Sequence, residues 1–99
     1  MKLNFNDPNP GKWFDLDEDT GFCVRVVNAK FAKETSTMTP EGKEKAVWDY
    51  IIVDWRGLLD EEGVAIPCNT PNKVKLMSES VDFAMTINHF VTQLNNGLM

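Results

Sequence analysis

The chain has 99 residues, 42% of them hydrophobic, and a formal net charge of −5 at pH 7. A chain of this length forms one domain that buries roughly two-thirds of its unfolded surface, which is enough for a small core without metal or disulfide support. The acidic balance argues against binding to nucleic acid, which needs a basic face, and no apolar run is long enough to cross a membrane. We therefore expect a soluble cytoplasmic protein whose partners are other proteins.

The two cysteines are expected to be structural. Cys23 and Cys68 are too far apart in the sequence to form a chelating pair, and no cluster of cysteine and histidine completes a zinc site. Free cysteines are often buried in proteins of a reducing cytosol. The sequence predicts no metal and no cofactor.

The N-terminal part predicts a flexible arm followed by a β-hairpin. Residues 1–12 are rich in proline, asparagine and glycine, which favours a mobile arm. From Trp13, aromatic and β-branched residues lie on both sides of the acidic stretch DEDTG, and the second strand covers Phe22 to Val27. Such a pattern is typical of two strands joined by a turn.

The acidic stretch also has part of a calcium-loop pattern. Asp15, Asp17 and Asp19 have the alternate spacing of an EF-hand loop. However, the sixth position is Thr20 instead of glycine, and the twelfth is Val26 instead of glutamate. We favour a solvated hairpin turn over a calcium site.

Start signals predict two helices in the middle of the chain. Asn28 can cap a short helix from Ala29 to about Thr37, but Phe31 is its only large apolar residue, so we expect a frayed helix or a mobile loop. Thr39 and Pro40 provide a stronger start, with a capping hydroxyl followed by proline at the first helical position. This central helix is predicted to run to about Gly57, and its apolar residues on nearly every side favour burial all round.

The second half of the chain predicts a turn and two more helices. Asp60 to Gly63 form a tight acidic turn in which Gly63 takes positive φ, and Pro67 closes a short extended run. A short helix follows from Pro71 to Met77. The last helix, capped by Ser78 or Ser80 and ended by Gly97, is amphipathic, with one apolar stripe of Phe83, Ile87, Phe90 and Leu94.

These elements predict an α+β fold that is predominantly α. A short N-terminal β-hairpin precedes three to four helices in a single compact domain over residues 13–96, and residues 97–99 form a C-terminal tail. No catalytic pattern accompanies this fold. The only histidine, His89, has no nucleophile pattern near it, and the chain has no P-loop, dinucleotide fingerprint or H-E-x-x-H motif. The sequence predicts that this protein is not an enzyme.

The order of these features resembles the tail assembly chaperones of long-tailed bacteriophages. Members of that family typically have an N-terminal β-hairpin and a helix that ends in an aliphatic-rich D-W-x-G segment. A D-x-x-G turn, an aliphatic-proline step, a short helix and an amphipathic helix then follow. The corresponding segments of this chain are Ile51–Gly57, Asp60–Gly63, Ala65–Pro67, Thr70–Met77 and Val81–Phe90.

The resemblance implies a role in virion assembly. Family members bind the tape measure protein, help recruit the tail tube protein in the cytoplasm of the bacterial host, and are absent from the mature virion. A longer form made by programmed frameshifting often accompanies the short one, and the sequence leaves open a homo-oligomer and pairing with such a form. Two alternatives are a structural tail component and an acidic regulatory protein that mimics nucleic acid.

The candidate site residues fall into two groups. Trp48, Leu98 and Met99 are candidates for partner binding, because Trp48 is on a helix too apolar for one small core to cover and the other two end the chain. The motif residues are expected to have structural roles, with Trp55 as a core anchor and Gly63 as a turn residue. They are Trp55, Gly57, Asp60, Gly63 and Pro67.

Overall fold

A computed structural model describes residues 9–97 of the chain. About half of these residues are helical, and the predicted α+β class, with an N-terminal hairpin and four helices in a compact globule, is confirmed. The elements in chain order are β1 (Lys12–Asp15), β2 (Gly21–Val24), α1 (Ala29–Thr35), α2 (Pro40–Ile51), β3 (Ile52–Arg56), α3 (Thr70–Glu79) and α4 (Val81–Gly97).

Three antiparallel strands form one sheet in the order β1-β2-β3. The turn between β1 and β2 is the predicted acidic one, and the carboxylate of Asp17 accepts hydrogen bonds from the backbone N–H groups of Asp19 and Thr20 at 2.8 and 2.7 Å. Strand β2 ends at Val24, earlier than the predicted Val27. The next N–H group, that of Arg25, donates to a carbonyl at the end of α2 instead of to a strand.

The predicted central helix from Pro40 to Gly57 is wrong over its last part. Helix α2 ends at Ile51, and strand β3 begins at the next residue. All four residues of β2 are buried, and β1 covers only one edge of that strand. Because buried backbone groups need partners, the second edge is paired by residues 52–56, which include the β-branched Ile52 and Val53.

Side-chain caps start the four helices. Asn28 accepts from the N–H group of Phe31 at 2.8 Å, and Thr39 accepts from that of Gly42 at 3.2 Å, as the sequence predicts. The third helix, predicted over Pro71 to Met77, is capped by Asn69 and covers Thr70–Glu79. Ser80 is the cap of α4, because its hydroxyl accepts from the N–H group of Phe83 at 3.2 Å.

The core lies between the sheet and the apolar stripe of α4. The Phe22 ring of the central strand packs edge-on against Phe83, with centroids 5.7 Å apart, and the Trp55 ring of β3 packs edge-on against the same ring at 5.9 Å. On the neighbouring strand, Phe14 stacks on Phe90 at 5.1 Å. The predicted stripe of the last helix therefore faces the sheet.

The ends of the predicted domain map only in part onto the described residues. In the predicted arm of residues 1–12, Asn9 donates to the Tyr50 hydroxyl at 2.6 Å and to the Val26 carbonyl at 2.8 Å, and Lys12 belongs to β1. Residues 1–8 lie outside the described part, as do Leu98 and Met99 of the predicted tail.

Candidate functional site

The segment after β3 folds into a small closed turn. The N–H group of Asp60 donates to the Val64 carbonyl at 2.9 Å, and that of Ile66 donates to the Leu58 carbonyl at 2.8 Å. The Asp60 carboxylate accepts from the N–H groups of Glu62 and Val64, both at 2.9 Å. Gly63 has the positive φ that was predicted for it, 80°. The acidic turn is therefore ordered by its own aspartate.

This turn is fastened to the sheet and to α3. The indole N–H group of Trp55, a residue only 7% exposed, donates to the Ile66 carbonyl at 2.7 Å. The Pro67 carbonyl accepts from the Asn69 N–H group at 3.1 Å and from the Asn72 side chain at 2.9 Å. Residues 58–67 are thus held between β3 and the start of α3.

A groove lies between this turn and α3, and we call it the turn–α3 groove. Its volume is about 510 Å³. Val64, which is 58% exposed, presents an aliphatic side chain at this groove. The lining residues come from the acidic turn, the aliphatic-proline step and one face of the helix: Asp60, Val64, Ala65, Ile66, Pro67, Asn72, Lys75 and Leu76.

A second, smaller groove of about 230 Å³ adjoins the first, and we call it the α3–α4 groove. Leu76 lines both grooves, and we call the two grooves together the docking surface. Leu16 of the hairpin turn, 54% exposed, lines the second groove. Its other lining residues are Phe22, Leu58, Leu76, Ser80, Asp82, Phe83 and Thr86.

The structure brings some of the predicted site residues together and separates others. Asp60 and Pro67 line the turn–α3 groove, Gly63 belongs to its turn, and Trp55 is buried behind it. Gly57 lies elsewhere, at the end of β3, with φ of 73° and its α-carbon against the backbone of the β1–β2 turn.

The partner-binding candidates fall outside both grooves. Trp48 is a half-buried residue of α2 that packs against the core. It does not line either groove of the docking surface. Leu98 and Met99 lie outside the described residues.

Sequence reasoning did not single out Leu16, Val64 or Leu76 as site residues. One signal was present for Val64, because an aliphatic residue directly after a glycine turn has little local structure to pack on. For Leu16 and Leu76 no local signal exists, since the groove between them forms only when the hairpin turn meets α3 and α4.

A partly buried ion pair supports α3 from the side of α2. The Lys73 ammonium, on a residue 9% exposed, contacts the Asp49 carboxylate at 3.2 Å and the Asp49 carbonyl at 3.1 Å, and the Thr70 hydroxyl donates to that carboxylate at 2.7 Å. Burial raises the pKa of Asp49, but the hydrogen bonds from Thr70 and Lys73 outweigh it and leave the pKa below its ordinary value. All three groups are engaged in structure.

The two thiols and the imidazole lie in different surroundings. Burial raises the pKa of the Cys23 and Cys68 thiols, which keeps them protonated and weakens them as nucleophiles. His89 is exposed on α4, with its ring beside the Gln93 amide at 3.0 Å. Across residues 9–97, no three His, Cys, Asp or Glu side chains are grouped to hold a metal ion, and none of the helices is long and apolar enough to cross a membrane.

Comparison of the chain with protein-family models, with curated proteins and with solved structures finds no match. The functional assignment therefore depends on the order of the motifs and on the docking surface. The lining of this surface is mostly apolar, and its turn is held by hydrogen bonds to β3 and to the start of α3.

Proposed function

We propose that this protein is a non-catalytic tail assembly chaperone of a long-tailed bacteriophage, and that it binds the tape measure protein through the docking surface. One observation carries the proposal. Three of the five segments that carry the family resemblance, the D-x-x-G turn, the aliphatic-proline step and the short helix, line one groove. A shared sequence pattern that converges on one apolar groove favours a binding role over a purely structural one.

The shape of the surface fits such a role. An apolar groove on a small domain can cover one apolar stretch of an extended partner, and weak individual contacts gain from many copies bound along the same chain. In this role the protein acts in the host cytoplasm, helps to recruit the tail tube protein and is absent from the mature virion. A frameshifted longer form would share the described domain.

Co-expression with the tape measure protein of the same genome tests the proposal, followed by size-exclusion chromatography with light scattering. We expect the tape measure protein to become soluble and to elute with many copies of this chain. A tape measure protein that stays insoluble, with and without any frameshifted product, contradicts the proposal. Finding the chain in purified virions would instead support a structural tail component.

The same assay tests whether the partner binds at the docking surface or at an interface on α2. Trp48→Ala removes the aromatic side chain that the sequence analysis put forward for partner binding. We expect this variant to lose stability and to keep the complex, because Trp48 lies outside the grooves. If the complex is lost while circular dichroism shows an intact fold, the binding interface is on α2 and not at the docking surface.

A further inference from the structure

Two carboxylates line the docking surface, and others lie near them in the sequence. Asp60 lines the turn–α3 groove and Asp82 lines the α3–α4 groove. Glu61 and Glu62 belong to the same exposed turn as Asp60, and Glu79 follows Lys75 by one helical turn on α3. Lys75 is the only basic residue among the lining residues of the two grooves.

This charge distribution indicates which charged side chains a bound partner would carry. Apolar side chains of the partner can fill the grooves, and cations beside them would meet the acidic rim. Complementary rim charges steer association and select among partners, although each exposed pair adds little affinity. An acidic partner would be repelled by the same carboxylates.

The course of the surface indicates the conformation of that occupant. The lining residues on α3 begin at Asn72, and Ser80 and the first turns of α4 continue the lining to Thr86. Residues 72–80 span roughly 12 Å at the α-helical rise, which about two turns of a second helix match. A helix satisfies its own backbone hydrogen bonds, so it can lie on an apolar groove without a row of backbone partners.

We infer that the docking surface binds an amphipathic helix whose aliphatic stripe is flanked by lysine or arginine. The aliphatic side chains enter the two grooves on either side of Leu76, and the cations lie against the carboxylates of Asp60, Glu62 and Asp82. This inference deepens the proposed function, on which it rests for the natural partner, but its test needs only the isolated protein.

Fluorescence anisotropy with labelled designed peptides tests the inference. The first peptide, of about 18 residues, forms a helix of about five turns with a leucine stripe flanked by lysines. A second peptide keeps the stripe and replaces the lysines by glutamates, and a third has the first composition in scrambled order. We expect the basic amphipathic peptide to bind about tenfold more tightly than either of the others, and its affinity to fall as salt rises from about 0.05 to about 0.5 M.

Two matched substitutions locate the site. Val64→Asp places a charge in the turn–α3 groove, whereas Val27→Asp makes the same change at a position 41% exposed, outside both grooves and away from their lining segments. We expect the first variant to lose the basic peptide and the second to bind it like the original chain. Leu16→Asp repeats the test in the α3–α4 groove, in case Val64→Asp alters the turn.

Neutralising the rim tests the charge requirement separately. Asp60 is left unchanged because its carboxylate orders the turn. The double variant Glu62→Gln and Asp82→Asn should bind the basic peptide about fivefold more weakly, from two exposed pairs. The control Glu41→Gln and Glu44→Gln, on α2, should change the affinity less than about twofold.

Each contrary result overturns a defined part of the inference. Equal binding of the basic and acidic peptides contradicts the charge requirement, and equal binding of the scrambled peptide contradicts the helix. Binding that survives both Val64→Asp and Leu16→Asp contradicts the surface. If the peptide results hold and co-expression fails, the surface stands and the tape measure partner is wrong; if co-expression succeeds and no peptide binds, the proposed function stands on another surface.

Discussion

Two glycines with positive φ have different surroundings. A β-carbon on Gly57, with φ of 73°, would overlap the Asp19 backbone carbonyl, whereas one on Gly63, with φ of 80°, would meet open space. Gly63→Ala should therefore lower the free energy of unfolding by about 1–2 kcal/mol, the cost of an L-residue in this region. Gly57→Ala adds a backbone clash and should lower it by more than about 3 kcal/mol.

Urea titrations followed by tryptophan fluorescence compare the two glycine variants with the original chain. Gly63→Ala is the control, because it has the same backbone conformation without the neighbour. Equal losses at the two positions, or a larger loss for Gly63→Ala, would contradict the close approach of Gly57 to the hairpin turn.

The sequence predicts the role of Gly63 better than the role of Gly57. A glycine after Asp60, Glu61 and Glu62 indicates a turn from local sequence alone, and Gly63 fulfils that prediction. For Gly57 the sequence indicates only the end of an element. The neighbour that excludes every other residue type there, Asp19, is distant in sequence and comes close only when β3 pairs with β2.

Helices α2 and α3 are joined by the Asp49 and Lys73 ion pair, and this junction should depend on pH. The folded pKa of Asp49 is below its ordinary value of 3.8, so the carboxylate contributes stability that is fully present above that value and is lost as the pH falls through the lower folded pKa. Asp49→Asn should lower the free energy of unfolding by about 1 kcal/mol at neutral pH, a modest value because the Asp49 side chain is 42% exposed. The difference between variant and original should shrink below about pH 4.

Denaturant titrations of both proteins at several pH values check this expectation. Glu41→Gln is a suitable control, since the Glu41 and Lys45 pair is exposed and its loss should change stability by less than about 0.5 kcal/mol at every pH. A difference between Asp49→Asn and the original chain that stays constant down to acid pH would contradict a lowered folded pKa.

Elements that begin with local signals were predicted well, and the element that depends on a distant partner was not. Asn28 and Thr39 cap their helices as expected because a capping side chain bonds to an N–H group only three residues away. Ile52 to Arg56 contain apolar residues at helical spacing from α2, yet they form β3. The unpaired edge of β2 decided their conformation, and the local sequence does not show that edge.

The sheet and the helices share one core, so the loss of stability on substitution should depend on how close the residue lies to that core. Phe22 is 2% exposed and contacts the rings of Phe83 and Phe90, whereas Phe31 is half-buried and stacks on Tyr50 at the edge of the molecule. Phe22→Ala should lower the free energy of unfolding by about 3–5 kcal/mol. Phe31→Ala should cost about 1–2 kcal/mol and should act mainly on α1.

Thermal unfolding by circular dichroism and hydrogen exchange of α1 distinguish the two effects. If Phe22→Ala is too unstable to fold, Phe22→Leu is expected to fold with a loss of about 1.5 kcal/mol or more. Similar losses for Phe22→Ala and Phe31→Ala, or faster exchange throughout the molecule in Phe31→Ala, would contradict a single core centred on β2 and α4.

The docking surface shows how far a sequence can lead towards a site. The motif segments around Asp60, Pro67 and Leu76 were recognisable in the chain, but their purpose was not, because each segment is also explained by a turn or a helix start. Only the fold brings them to one groove and adds Leu16 from the hairpin. By contrast, Trp48 was attractive in sequence as an aromatic side chain and lies outside this surface.

Helix α2 continues directly into strand β3, with no linker residue between them. Ile51 ends the helix and Ile52 begins the strand, and both are buried, at 6% and 0% exposure. A rotation of α2 would therefore pull β3 out of register with β2, and the core resists such a movement. A substitution at this junction should therefore disturb the helix and the sheet together.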